Sequence, residues 1–176
     1  MVSVMTLSGS DAAGLDREIL EAWAEVFGPV EDADDWRVSV WDRHRSRPGF
    51  RLVVAREDDR LQGFAWGYTG ERGQYWTDFI AREIGPGIDE WIGGHFEFVE
   101  LAVMPHARRR GIGRRLHDAL LADLPHERAL LSTSAHTEDP GARLYSSRGW
   151  VTLATYGANR QVMGRLSGGV EGVATG

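Results

Sequence analysis

Apolar positions recur along the chain with two different periods, and the switches between them lay out the elements. Residues 2–7 alternate apolar and small polar side chains as a first strand does, and Ser8-Gly9-Ser10-Asp11 reads as a turn. From 15 to 27, the residues Ile19, Leu20, Trp23, Val26 and Phe27 recur at spacings of three and four, which predicts a helix that Gly28-Pro29 ends. A shorter stripe, Trp36, Val40 and Trp41, predicts a second helix over about 34–45. Residues 50–55 and 61–68 read as two strands of a hairpin joined by the polar turn Glu57-Asp58-Asp59-Arg60. The span 70–94 breaks this rhythm. Trp76, Phe79, Ile80 and Ile84 predict a short helix there, Gly85-Pro86-Gly87 stops it, and Trp91 precedes Gly93-Gly94.

The second half repeats the pattern with a sharper centre. Residues 96–104 form a strongly apolar strand stopped by Pro105, and after an arginine-rich loop the stretch 113–124 reads as a helix with Leu116, Ala119 and Leu120 on one face. A strand at 129–133, a helix at 139–147 with Pro140 near its first turn, and strands at 150–155 and 161–166 complete the pattern. The 176 residues fit one domain, expected over 1–166, with a flexible Gly-rich tail at 167–176.

Composition removes several enzyme classes. The chain has no cysteine, and therefore no disulfide framework, thiolate metal site or cysteine nucleophile. It has no lysine, so the Schiff-base and P-loop lysines are excluded as well. No stretch approaches the roughly 20 apolar residues that cross a bilayer, and residues 1–7 lack a signal-peptide pattern, so a cytoplasmic protein with no membrane partner is expected. The formal net charge of −6 argues against a nucleic-acid partner. Against that average, five arginines fall between Arg108 and Arg115, concentrating positive charge where a single anionic ligand could dock.

A pyrophosphate is held by backbone N–H groups converging from a tight turn, backed by the positive end of a helix dipole, and glycines are needed where side chains would obstruct it. Gly111 and Gly113 meet that need, while Arg108, Arg109, Arg110 and Arg114 can add charge-assisted contacts. A dinucleotide fingerprint fails at its third glycine, where Leu116 stands. The run Leu101-Ala102-Val103-Met104-Pro105 followed by Arg108-Arg109-Arg110-Gly111-Ile112-Gly113 resembles motif A of the GNAT acetyltransferases, written (Gln/Arg)-x-x-Gly-x-(Gly/Ala). Leu144-Tyr145-Ser146-Ser147-Arg148-Gly149-Trp150 is similar to the family's later Leu-Tyr-x-x-x-Gly-(Phe/Trp) segment, so the resemblance covers about 96–155.

That resemblance implies an α/β (α+β) architecture, the GNAT acyl-CoA N-acyltransferase fold: a mixed, twisted central sheet flanked by helices, splayed between the fourth and fifth strands. It implies acetyl-CoA as acyl-donor cosubstrate. The backbone of Leu101, Ala102 and Val103 would lie along the pantetheine arm, and Arg108 to Arg114, with Gly111, Ile112 and Gly113, would lie around the pyrophosphate. It also implies that Tyr145 protonates the departing thiolate. The chain departs from the family where an asparagine often stands seven residues before the tyrosine; here that residue is Glu138.

Direct attack by an amine on a thioester needs orientation, a proton acceptor and a proton for the leaving group, and no covalent intermediate. Glu97 and Glu100, carboxylates on an otherwise apolar strand, are the candidate bases, and strict alternation would put them on opposite faces. The six histidines show no ligand spacing, so no metal is expected, and His95 and His136 read as surface or supporting residues. Trp76, Phe79 and Trp91, with Trp23 and Trp41, either wall an acceptor pocket or pack on the sheet. The expected activity is acetyl transfer from acetyl-CoA to a primary amine of a small molecule or peptide. The alternative is a non-catalytic CoA-binding sensor, and a homodimer is compatible with the exposed aromatics of the 70–94 span.

Overall fold

A computed structural model of the chain describes residues 1–167. The expected tail therefore lies outside the described residues except for Ser167, whose N–H donates to the Glu127 carbonyl at 2.9 Å. The elements are β1 (Ser3–Ser8), α1 (Asp16–Phe27), α2 (Ala33–Trp36), α3 (Arg43–Arg45), β2 (Arg51–Glu57), β3 (Arg60–Gly70), α4 (Tyr75–Ile84), β4 (His95–Val103), α5 (Ile112–Leu121), β5 (Arg128–Ser134), α6 (Pro140–Ser147), β6 (Val151–Tyr156) and β7 (Arg160–Leu166). The strands form one mixed sheet in the order β1-β2-β3-β4-β5-β7-β6. Two compact units divide the chain, and β4 contributes to both: residues 1–69 and 98–123 make the first, 70–97 and 124 onward the second.

In the first unit β1 and β2 are antiparallel with Ser3 opposite Arg56 and Ser8 opposite Arg51, and β2 and β3 form the expected hairpin. The apolar run of β3 does not alternate because residues 61–68 are all buried. A bulge at Ala55/Arg56 sets Gln62 out of register, and its carbonyl accepts from the Met104 N–H at 2.9 Å just past the end of β4. Helix α1 buries Ile19 and Ala22 and is tied to β2 by the paired Arg56 guanidinium and Glu18 carboxylate, 2.7 Å at Nη1–Oε1.

The predicted helix over 34–45 exists, with a change of winding. Asp32 caps α2 by accepting from the Asp35 N–H at 2.9 Å, Arg37–Asp42 then form a π-helical turn, and α3 follows. Positions five apart lie about 140° apart around an ordinary α-helix; the wider π turn instead brings Trp36 and Trp41 into a stack, centroids 6.2 Å apart at 13°. Trp41 meets Trp66 and Phe50 edge-on at 5.9 and 6.3 Å. Fully buried Trp41 is a core residue and no wall of a pocket.

The second unit is built on β5, β7 and β6 with the first residues of β4. The parallel β4–β5 ladder has two registered pairs, Phe96 with Ala129 and Glu97 with Leu130, whereas β5 and β7 pair along their whole length. The span 70–94 supplies α4 and a 3-10 turn at Pro86–Ile88. Ile80, Ile88 and Ile92 join Leu130 and Val162 in a core cluster against which Trp76, Phe79 and Trp91 pack, so these three aromatics hold the insertion to its sheet.

His95 is fully buried in this unit, not at the surface. Its Nδ1 accepts from the Gly93 N–H at 3.1 Å, which leaves the ring proton on Nε2. Nε2 faces Gly70 so closely that a Cβ there would sit 2.3 Å away. Burial above all, then the charges of Arg128 and His126, lowers the His95 pKa to about 4. His44, whose Nδ1 accepts from Trp66 Nε1 at 3.3 Å, is likewise lowered to about 4 by burial and then by Arg47 and Arg43.

Both histidines take up a proton near pH 6.5 when unfolded and near 4 when folded, so the unfolded chain binds more protons between those values. Their contribution to stability is complete above about 6.5 and is lost as pH falls towards 4. The thermal midpoint should therefore fall across that window, and His44→Gln and His95→Gln should each flatten the slope; an unchanged slope in both would contradict the neutral state of these rings. Gly70→Ala should cost about 1–3 kcal/mol in a urea titration, because the imidazole cannot yield to the new methyl without repacking.

Candidate functional site

The first unit carries the phosphate-loop residues together. After β4 a 3-10 turn at Pro105–Ala107 buries Ala107, and the chain is extended at Arg108 (φ −64°, ψ 158°). Arg109 and Gly111 then take left-handed conformations, φ 63° and 74°. Gly111 is the N-cap of α5, and a Cβ on it would meet no atom within 4 Å, so conformation and not space is what calls for glycine there. The first intrahelical bond runs from Arg115 N–H to the Gly111 carbonyl at 3.2 Å. The amides of Ile112, Gly113 and Arg114 precede it, and no side chain caps them. Leu116 and Leu120 are buried as the period predicted, Ala119 is half-buried, and Ile112, ahead of the predicted stretch, is buried too. The fourth buried residue of the face is His117, whose Nδ1 lies 2.9 Å from Asp118 Oδ1, and the helix ends at Leu121.

The five arginines separate into two groups. Arg110 makes a two-pronged pair with Glu57, 2.8 and 3.0 Å, which holds the Glu57 carboxyl below the usual carboxylate range. Arg114 lies 3.9 Å from Asp118, and Arg115 donates to the Val2 carbonyl at 2.9 Å. Arg108 and Arg109 are exposed and form no ion pair among the described residues. Three uncapped amides at a helix N-terminus with two guanidiniums beside them form a donor set that suits a pyrophosphate and suits no cation. On β4, Ala102 is buried while Leu101 and Val103 are half-buried.

Glu100 also belongs to this unit. It is half-buried, and its Oε2 accepts from Trp23 Nε1 at 3.2 Å. The helical period placed Trp23 on the apolar face of α1 and gave no sign of this bond, because a hydrogen bond spanning 77 positions has no local signature.

The second unit holds Glu97 and Tyr145. Glu97 is 4 % exposed and opposite Leu130 in the β4–β5 ladder. Tyr145 lies on α6, whose start is set by Asp139 accepting from the Gly141 and Ala142 N–H groups at 2.9 and 3.0 Å. Its ring is 8 % exposed and meets Trp150 edge-on at 6.0 Å, and its carbonyl accepts from the Arg148 and Trp150 N–H groups. The Leu-Tyr-x-x-x-Gly-Trp run is thus a helix end and turn folded around the tyrosine. Glu138 is exposed and paired with Arg143. Among the described residues no group of three or more His, Asp or Glu side chains is placed to hold a metal ion, and no helix is long and apolar enough to cross a membrane.

A profile of the Acetyltransferase (GNAT) family matches residues 17–150. A GCN5-like protein acetyltransferase of Mycobacterium tuberculosis is 33 % identical over 182 aligned positions, covering 86 % of this chain and 88 % of that protein. Among solved structures, a GNAT-family acetyltransferase from Bacillus cereus superposes with a TM-score of 0.64 at 16 % identity, over 95 % of this chain and 98 % of the other. The PaiA N-acetyltransferase of Thermoplasma acidophilum, solved with coenzyme A, gives 0.59 at 14 % identity, over 95 % and 99 %. The family profile, the relative and the mixed sheet with its uncapped glycine loop agree: the chain belongs to the GNAT acetyltransferase family.

Proposed function

We propose that the protein transfers an acetyl group from acetyl-CoA to a primary amine by direct attack, the observation that carries this being the uncapped N-terminus of α5 behind the left-handed Arg109 and Gly111. The amides of Ile112, Gly113 and Arg114 hold the pyrophosphate, Arg108 and Arg109 add charge, and the backbone at Leu101 and Val103 pairs with the pantetheine arm. Arg110, engaged by Glu57, shapes the loop and has the smaller share in phosphate contact. The thioester supplies an acyl carbon already activated towards an amine.

Glu100 is the proton acceptor in this reading. It is accessible and held by a donor, whereas Glu97 is 4 % exposed. As the C–N bond forms and the C–S bond breaks, Glu100 takes the amine proton and the Tyr145 hydroxyl gives one to the sulfur. The similarity to a protein acetyltransferase favours an amine on a peptide or protein over a small-molecule amine.

Calorimetric titration with acetyl-CoA should give micromolar binding, weakened about tenfold in Gly111→Val, since forcing a β-branched residue into the left-handed region costs about 1–2 kcal/mol. No binding by the wild-type chain would remove the cosubstrate and every role built on it. Thiol release with a panel of peptide and small-molecule amines should then show turnover. Glu100→Gln should lower kcat on the order of 10²-fold or more with unchanged acetyl-CoA affinity, and Tyr145→Phe should do likewise. Glu97→Gln should have the smaller effect, and a larger one would exchange the two carboxylates. Tight binding without turnover of any amine would make the protein a CoA-binding sensor.

A further inference from the structure

The hydrogen bond from Trp23 to Glu100 joins a row of packed aromatic rings in the first unit to the carboxylate assigned as the base. Trp23 stands one turn beyond Ile19 on α1, a helix anchored to β2 by the Glu18–Arg56 pair. Its ring lies 5.2 Å from the exposed Phe27 at 50° and 6.3 Å from the buried Trp36 at 53°, so the side towards Trp36 is the one that is braced. Behind it the row continues through Trp36 stacked on Trp41 to Trp66 and Phe50, edge-on to Trp41. Rings in such contact exchange rotamers at the expense of their neighbours' packing, so a braced indole is a stiff donor.

The tryptophans of this row use their N–H groups differently. Trp36 and Trp41 bury theirs with no hydrogen-bond partner among the described residues, while Trp66 donates its own to His44. Trp23 directs its N–H at a carboxylate oxygen 77 residues away. An unmade indole hydrogen bond is tolerated twice in the row, so the bond to Glu100 is not explained by a general need to satisfy these groups. A fixed donor on one oxygen orients the plane of a carboxylate and limits the directions from which it accepts a proton.

We infer that Trp23 is a positioning residue that sets the orientation of the Glu100 carboxylate for proton acceptance, with the buried Trp36 and Trp41 rings as its rigid support. The inference rests on the assignment of Glu100 as base in the proposed function, and the π turn then acquires a role. By stacking Trp36 on Trp41 it transmits the stiffness of the sheet core to a side chain beside the candidate site.

The test uses the full chain, with Trp23→Phe to keep a ring between Phe27 and Trp36 while removing the N–H. In a nitrogen-15 spectrum the missing indole resonance of Trp23→Phe identifies Trp23 among the seven tryptophans. Glu100→Gln should displace that resonance more than any other, because a neutral amide replaces a charged acceptor. With whichever amine of the panel is acetylated fastest, Trp23→Phe should lower kcat about tenfold and leave acetyl-CoA affinity within about twofold. Its thermal midpoint should stay close to that of the wild type.

An unmoved Trp23 resonance in Glu100→Gln would show that the bond does not form in solution and overturn the inference. A displaced resonance with wild-type kcat in Trp23→Phe would show a bond without a positioning role, which overturns it equally. Full activity in Glu100→Gln would instead overturn the assignment of the base, a failure distinguishable from the other two because the spectral displacement would persist.

Discussion

The turn from β4 into α5 is the constraint on which the rest depends, because it leaves three helix amides with no side chain among the described residues to satisfy them. Two residues in the left-handed region achieve this, and only one is glycine. Arg109 at φ 63° carries local strain that its surroundings must outweigh. The turn is pinned on both sides: Met104 N–H is bonded to the Gln62 carbonyl and Ala107 is buried before it, and Ile112 is buried after it. A loop held this way needs little rearrangement to take up an anion, and preorganisation of that kind reduces the entropy lost on binding.

Much of this was legible in the sequence for physical reasons that can be named. Glycines and arginines in a fixed order after a Pro-stopped strand constrain the backbone locally, so the loop could be read without neighbours. The expected elements occur in order, because each carries its own period. What the period hides is winding and distance. The stripe over 34–45 was visible, but an analysis at 3.6 residues per turn cannot show a π turn, and the stacking of Trp36 on Trp41 followed from it. Likewise the sequence left His95 between a surface and a supporting place, because a lone histidine before an apolar strand gives no sign of the glycine at 70 that makes room for it in the core.

The two carboxylates of β4 show the same limit at the site itself. Three positions apart in sequence, Glu97 and Glu100 fall in different compact units, one buried within a β4–β5 ladder two pairs long and the other beside α1. Alternation along the strand separates them by face but leaves both as candidate bases. Their environments differ because Glu97 is registered with Leu130 of β5 while Glu100 accepts from Trp23 of α1, which depends on the partners of the strand and not on its own residues.

A chain with arginine as its only strong cation uses guanidinium groups where another would use several kinds of side chain. Arg51 donates to the Ala122 carbonyl at 2.8 Å, at the C-terminal end of α5, where a cation complements the negative end of the helix dipole. Among the described residues nothing comparable covers the other end: the N-terminal amides have no cap, and Glu57 is occupied by Arg110. The helix is thus satisfied at one terminus and open at the other. An aspartate cap in place of Gly111 would have changed the stability of α5 by only about a few tenths of a kcal/mol, and it would have occupied the donors that a phosphate needs. The omission of a cap at this helix, while α2 and α6 each carry an aspartate in that place, is what a site for an anionic ligand requires.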